Sequence, residues 1–126
     1  MENEKTKIWL GEDGIVKLKI EKDISEEVIR ELALEFKKIT KDLPGKANVS
    51  IDVTTSIPIS GVLFRRKIVG IVKDVFNDPG FNKVAEWGAK NNLGKTIILF
   101  IIGATKFKNF RYFDTEEEVL KWFKEV

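Results

Sequence analysis

The sequence predicts a single α/β domain, with a mixed sheet of about five strands and about four helices in the order ββαβαβαβα. Three observations predict it. The chain opens with a hairpin signature, in which Val16, Leu18 and Ile20 alternate with Lys17 and Lys19. After it, helical and short apolar strand segments alternate, as crossover connections between parallel strands require. No linker, repeat or low-complexity stretch interrupts the 126 residues, so one domain is expected to span 1–126.

The elements follow in order. Lys7 to Leu10 and Ile15 to Ile20 flank the turn Gly11-Glu12-Asp13-Gly14, whose glycines suit a four-residue hairpin loop. Asp23 and Glu26 form a helix-start pattern. Val28, Leu32, Phe36, Ile39 and Leu43 then recur every three or four residues until Pro44-Gly45 stops the helix. Val49, Ile51 and Val53 mark a buried strand, followed by a polar loop and a helix from Ser60 to about Phe76. That helix presents Leu63, Phe64, Ile68, Ile71, Val72 and Val75 to the core and ends at Asn77-Asp78-Pro79-Gly80. Phe81 to Trp87 reads as a strand, and so does Phe110 to Phe113. Asp114 or Thr115 caps a last helix, with Thr115 and Glu118 forming a capping box, Val119, Leu120 and Phe123 inward and Trp122 at the margin.

Residues 95–105 are ambiguous by pattern, because the run Ile97 to Ile102 suits a central strand or a buried helix. Helix is the expectation, since parallel strands at Val84 and Phe110 need a crossover between them. Gly103 then reads as its terminator. Six apolar residues in a row cover every side of a helix, so something beyond one core-facing stripe must cover the excess. Ile98, Leu99, Phe100 and Ile102 are therefore candidates for a hydrophobic interface, as in a homodimer, or for a small apolar ligand.

Composition excludes several classes of function. There is neither cysteine nor histidine, which removes disulfides, thiolate or imidazole metal sites and the commonest nucleophile–base pairs. Twenty-two basic and twenty acidic residues leave a net charge of +2, too small to call for nucleic acid or an anionic membrane. The amino-terminal stretch lacks the basic head and apolar core of a secretory signal, so a cytoplasmic location is expected. No cofactor and no metal are implied.

The loop after the strand at Ile51 is the natural place for function in such a fold. Asp52, Thr54, Thr55 and Ser56 can line a polar site there or can serve local Asx and Ser/Thr turns. Ser60 suits a helix N-cap, where a phosphate would also meet free amides and the helix dipole. Arg65 and Arg66 follow on the first turns, as a basic surface for an acidic or phosphorylated partner or as a solvated face.

The element order, the closing FRYFDTEEEVLKWFKE and the junction Ile59-Ser60-Gly61 resemble the STAS domain. More closely, the chain looks like the stand-alone STAS-like proteins related to bacterial anti-sigma-factor antagonists, over nearly its whole length. The resemblance implies a two- or three-layer sandwich and a non-catalytic regulatory module that binds a kinase or another regulatory protein. In phosphorylatable antagonists the junction reads Asp-Ser-Ser-Gly, and the second serine accepts phosphate from a partner kinase. Ser60 and Gly61 match that register, whereas Pro58 and Ile59 replace the Asp-Ser pair. Ser60 is thereby the phosphoacceptor candidate, and Asp52, Thr54, Thr55, Ser56, Gly61, Arg65 and Arg66 are the partner-binding candidates. The wider fold group is also similar to CRAL-TRIO-type lipid-binding domains, which matches the alternative of a carrier holding a lipid or fatty acyl group against Ile97–Ile102.

Overall fold

In the computed structural model the described residues are 7–20, 26–43, 45–54, 62–76 and 81–125. Along them the elements are β1 (Lys7–Leu10), β2 (Val16–Lys19), α1 (Glu26–Lys41), β3 (Ala47–Asp52), α2 (Val62–Phe76), β4 (Phe81–Trp87), α3 (Asn92–Thr105), β5 (Phe110–Phe113) and α4 (Glu116–Phe123). The order is the one the sequence predicts. The five strands form one sheet in the sequential order β1-β2-β3-β4-β5. β1 and β2 are antiparallel, and every later neighbour is parallel.

The hairpin turns as its residues dictate. Gly14 takes a φ of 80°, which a side chain would resist, and its N–H donates to the Gly11 carbonyl at 3.0 Å. Asp13 accepts from the Ile15 amide at 3.1 Å and pairs with Lys17 at 3.4 Å.

Register decides which side chains meet. Val16, Val49 and Val84 are in line across β2, β3 and β4, with Phe110 next in β5, and the three valines have no exposed surface. Leu18, Ile51 and Phe36 join them in the core between the sheet and the helix layer. Phe36 of α1 meets Phe81 of β4 edge-on, with ring centroids 5.7 Å apart. A second cluster of Ile29, Ile68, Ile97 and Ile101 ties α1, α2 and α3 to one another. Sequential parallel strands joined by right-handed crossovers place all three helices on one face. α4 packs on the other face, where Val119 and Trp122 cover Ala85, with Trp87 and Phe113 beside them. The sandwich thus has three layers over β3 to β5 and two over the hairpin side.

Three details differ from the sequence reading. Trp122 is buried, not marginal, whereas Leu120 and Phe123 are half-buried. The reason is the indole's neighbours: Phe113 lies 5.4 Å away, and Lys83 and Arg111 both stand 5.2 Å from its ring. Lys83 then donates to the carbonyls of Trp122 and Glu125 at 2.8 and 2.6 Å, closing the carboxyl end of α4. Gly103 does not end α3, which runs to Thr105. The stop is made by Lys106 in the left-handed region (φ 58°), with its N–H on the Gly103 carbonyl. Finally, Ile29 joins the core in α1, beside the stripe of Val28, Leu32, Phe36, Ile39 and Leu43. The helix starts predicted at Asp23 and Ser60 and the turn at 77–80 fall outside the described residues.

Among the described residues no helix is long and apolar enough to cross a membrane.

Truncating the buried Phe36 to Ala removes the aromatic contact and leaves a cavity, at a cost of about 3–5 kcal/mol. Leu34→Ala, on the exposed side of the same helix, changes stability by less than about 0.5 kcal/mol. Urea denaturation of the two variants, with unchanged m-values, checks both figures.

Candidate functional site

The carboxyl ends of β2, β3, β4 and β5 lie along one edge of the sheet, where the chain leaves for each helix in turn. β3 ends in Asp52, whose Oδ1 accepts from the Thr54 amide at 2.8 Å and from the Thr54 hydroxyl at 2.6 Å. That is an Asx turn, which spends the carboxylate on local backbone. The Ile20 amide donates to the Asp52 carbonyl at 2.9 Å, and the Val53 amide donates to the Trp87 carbonyl at 3.0 Å. The edge is thereby stitched from β2 to β4. Gly88 closes it from the β4 side: its φ is 89°, and a Cβ there would stand 2.5 Å from the Thr54 methyl group. Only glycine fits that approach.

β5 and α3 complete the edge. The Ala89 amide donates to the Tyr112 hydroxyl at 2.9 Å. Asn91 caps α3, its side-chain oxygen accepting from the Gly94 amide at 2.8 Å. Lys95 reaches back over the Tyr112 ring at 5.4 Å and pairs with Asp114 at 3.4 Å.

Glu86 is the residue that sequence reasoning missed. It pairs in register with Ile51 on one side and Tyr112 on the other, on the same sheet face as Val84. That face carries the helix layer. Glu86 is half-buried by its surface, yet the protein surrounding the carboxyl is dense enough to desolvate it. Desolvation pushes its pKa up to about 8, and among the described residues it has no hydrogen-bond or ion partner. The one available signal was its parity: Glu86 falls two residues after the buried Val84, so it must share its face. Ala85 and Trp87 masked that signal by making the strand read as apolar on both faces.

The predicted partner-binding residues divide as follows. Asp52 and Thr54 are half-buried and locked to each other, and Arg66 is exposed on α2. Arg65 lies in α2 with its side chain outside the description, and Thr55, Ser56, Ser60 and Gly61 lie outside the described residues. The residues 95–105 form a helix, as expected. Ile97 and Ile101 join the cluster between the helices, and Ile98 and Ile102 pack against the sheet core. Leu99 and Phe100 point outward and are 49% and 58% exposed. The fold itself therefore covers Ile98 and Ile102 and leaves Leu99 and Phe100 free. Among the described residues no group of three or more acidic side chains is placed to hold a metal ion.

This geometry can be set beside known proteins. A solved structure from Shewanella loihica PV-4, an uncharacterised protein of the DUF3478 family with a SpoIIAA-like fold, superposes with a TM-score of 0.64. The likeness spans 97% of this chain and 98% of that one, at 15% sequence identity. The fold is SpoIIAA-like. It is the STAS-like architecture that the sequence resembles, and at that identity the likeness concerns the fold alone. No protein-family model and no curated protein sequence matches the chain.

Glu86 has a measurable consequence. Below about pH 4.5 the carboxyl is protonated in both the folded and unfolded chain, so it adds no pH dependence. Between 4.5 and about 8 the unfolded chain releases the proton while the native state keeps it, so stability falls as pH rises and levels off above 8. The loss is on the order of a few kcal/mol. Urea midpoints from pH 5 to 9 fall in the wild type, whereas Glu86→Gln flattens that part of the profile and is the more stable protein above pH 8.

Proposed function

We propose that the protein is a non-catalytic regulatory or interaction module, working through the carboxyl edge of its sheet in the manner of anti-sigma-factor antagonists. The observation that carries this reading is the SpoIIAA-like fold running through the whole chain. The rigid edge supports it. Asp52 and Thr54 are tied into a turn, Gly88 packs against that turn, and Asn91 fixes the start of α3. Such an edge gives a partner fixed groups at the carboxyl ends of the strands to meet, as a docking surface needs. Asp52 is engaged by Thr54, and no histidine or cysteine exists to activate a nucleophile, so binding is the chemistry these residues suit.

On this reading Arg65 and Arg66 meet an acidic or phosphorylated group of a protein partner. Ser60, at the junction where related antagonists accept phosphate, is the regulatory residue. A phosphate added there, a few residues before the two arginines in the sequence, would change the charge of that segment and so alter partner affinity.

Replacing Arg65 and Arg66 together by Glu abolishes chemical cross-linking of the purified protein to its partner in extracts of the native source, while the urea midpoint stays within error. Retained cross-linking moves the interface elsewhere. Native mass spectrometry of the same preparation shows the bare chain. A co-purifying acyl ligand replaces this reading with the carrier alternative.

A further inference from the structure

The outward face of α3 exposes large apolar side chains. Leu93 is 64% exposed, alongside Leu99 and Phe100, so three large apolar side chains stand in solvent on one helix. At about 100° per residue, Thr96 and Gly103 share the outermost line of the helix. Leu99 flanks that line on one side, and Leu93 and Phe100 flank it on the other. The face thus carries small residues along its outermost line and large apolar ones beside it.

Two residue choices on this helix run against its own stability. Gly103 lies within α3, where glycine costs about 1 kcal/mol relative to alanine. A Cβ at Gly103 would meet nothing within 4 Å, so packing inside the chain does not demand a glycine. At Lys106 the preference is reversed: the backbone is left-handed, where glycine is the cheaper residue, yet a lysine stands there. Both choices suit an external contact, one by allowing close approach and the other by supplying charge.

The charge identifies the occupant. No acidic residue occurs between Glu86 and Asp114, a stretch that holds Lys90, Lys95, Lys106, Lys108 and Arg111. Arg111 belongs to the opposite face, over Trp122, and Lys95 is paired with Asp114. Lys90, Lys106 and Lys108 are exposed at the two ends of α3. A second copy of this chain would set lysines against lysines whether the two helices ran parallel or antiparallel. A flat lipid surface gains nothing from a glycine at 103, whereas a partner helix can approach its backbone closely.

We propose that the α3 face, lined by Leu93, Leu99, Phe100 and Gly103 and rimmed by Lys90, Lys106 and Lys108, docks an amphipathic helix of a protein partner that carries acidic residues beside its apolar stripe. This is recognition of an amphipathic helix, with apolar anchors for affinity and the lysine rim for selection. It rests on the reading of the chain as an interaction module but uses a surface other than the loop at 53–61.

The test uses a labelled synthetic helical peptide with leucines at i, i+3, i+4 and i+7 flanked by glutamates, and a control peptide with lysines in their place. In fluorescence anisotropy the glutamate peptide binds at least about tenfold more tightly than the lysine peptide, and added salt weakens it. Leu99→Ser with Phe100→Ser reduces binding at least about tenfold at an unchanged urea midpoint. Equal binding of the two peptides overturns the proposal, as does binding indifferent to that double substitution. A wild-type dimer in sedimentation that the double substitution dissociates assigns the face to a second copy and overturns it too. Co-sedimentation with phosphatidylglycerol vesicles, lost in the double variant and unaccompanied by peptide binding, assigns the face to lipid and likewise overturns the proposal. Peptide binding lost in Arg66→Glu and retained in the double variant overturns this surface while leaving the interaction-module reading in place.

Discussion

Parallel strands cannot be closed by a tight turn, so joining β2 to β3, β3 to β4 and β4 to β5 obliges the chain to cross over three times. Those crossovers are α1, α2 and α3, and burying their apolar stripes on one sheet face makes the core. Val16, Val49 and Val84 lie in one row beneath them without exposed surface. Because the strands run parallel from that row onward, each delivers its carboxyl end to the same edge. The position of the candidate site is thus a consequence of the sheet's hydrogen bonding, not of the residues that line it.

The edge and the α3 face obey different rules. At the edge, polar groups are consumed by structure: Asp52 by Thr54, Tyr112 by Ala89, Asn91 by Gly94. What they supply is local order at the carboxyl ends of β3, β4 and β5. On α3 the polar requirement is met inside the helix, and the cost appears as exposed apolar surface. Glu86 is a third case, an ionisable group placed where water is scarce. Its proton is retained because no charge among the described residues compensates for the desolvation.

Much of this was legible in advance. The hairpin followed from alternating Val16, Lys17, Leu18 and Lys19, and the capping of α4 followed from Thr115 and Glu118, which the structure places as the cap and its first-turn partner. These are local signals, set by residues within a turn of one another. The helical state of 95–105 was legible only through topology, since the run from Ile97 to Ile102 carries no period of its own. Trp122 was misplaced to the margin because its burial depends on Phe113, Lys83 and Arg111, contributed by two other strands.

The sequence by itself determined the kinds of element, their order and the absence of histidine and cysteine chemistry, because period, turn residues and composition are properties of the chain. Tertiary structure alone decided which apolar residues of α3 are covered. Ile97, Ile98, Ile101 and Ile102 find neighbours on α1, α2 and the sheet, while Leu99 and Phe100 stay about half exposed. It alone decided that Glu86 is desolvated. Both outcomes depend on what other elements bring to the same point in space, and a side chain's own identity does not encode its neighbours.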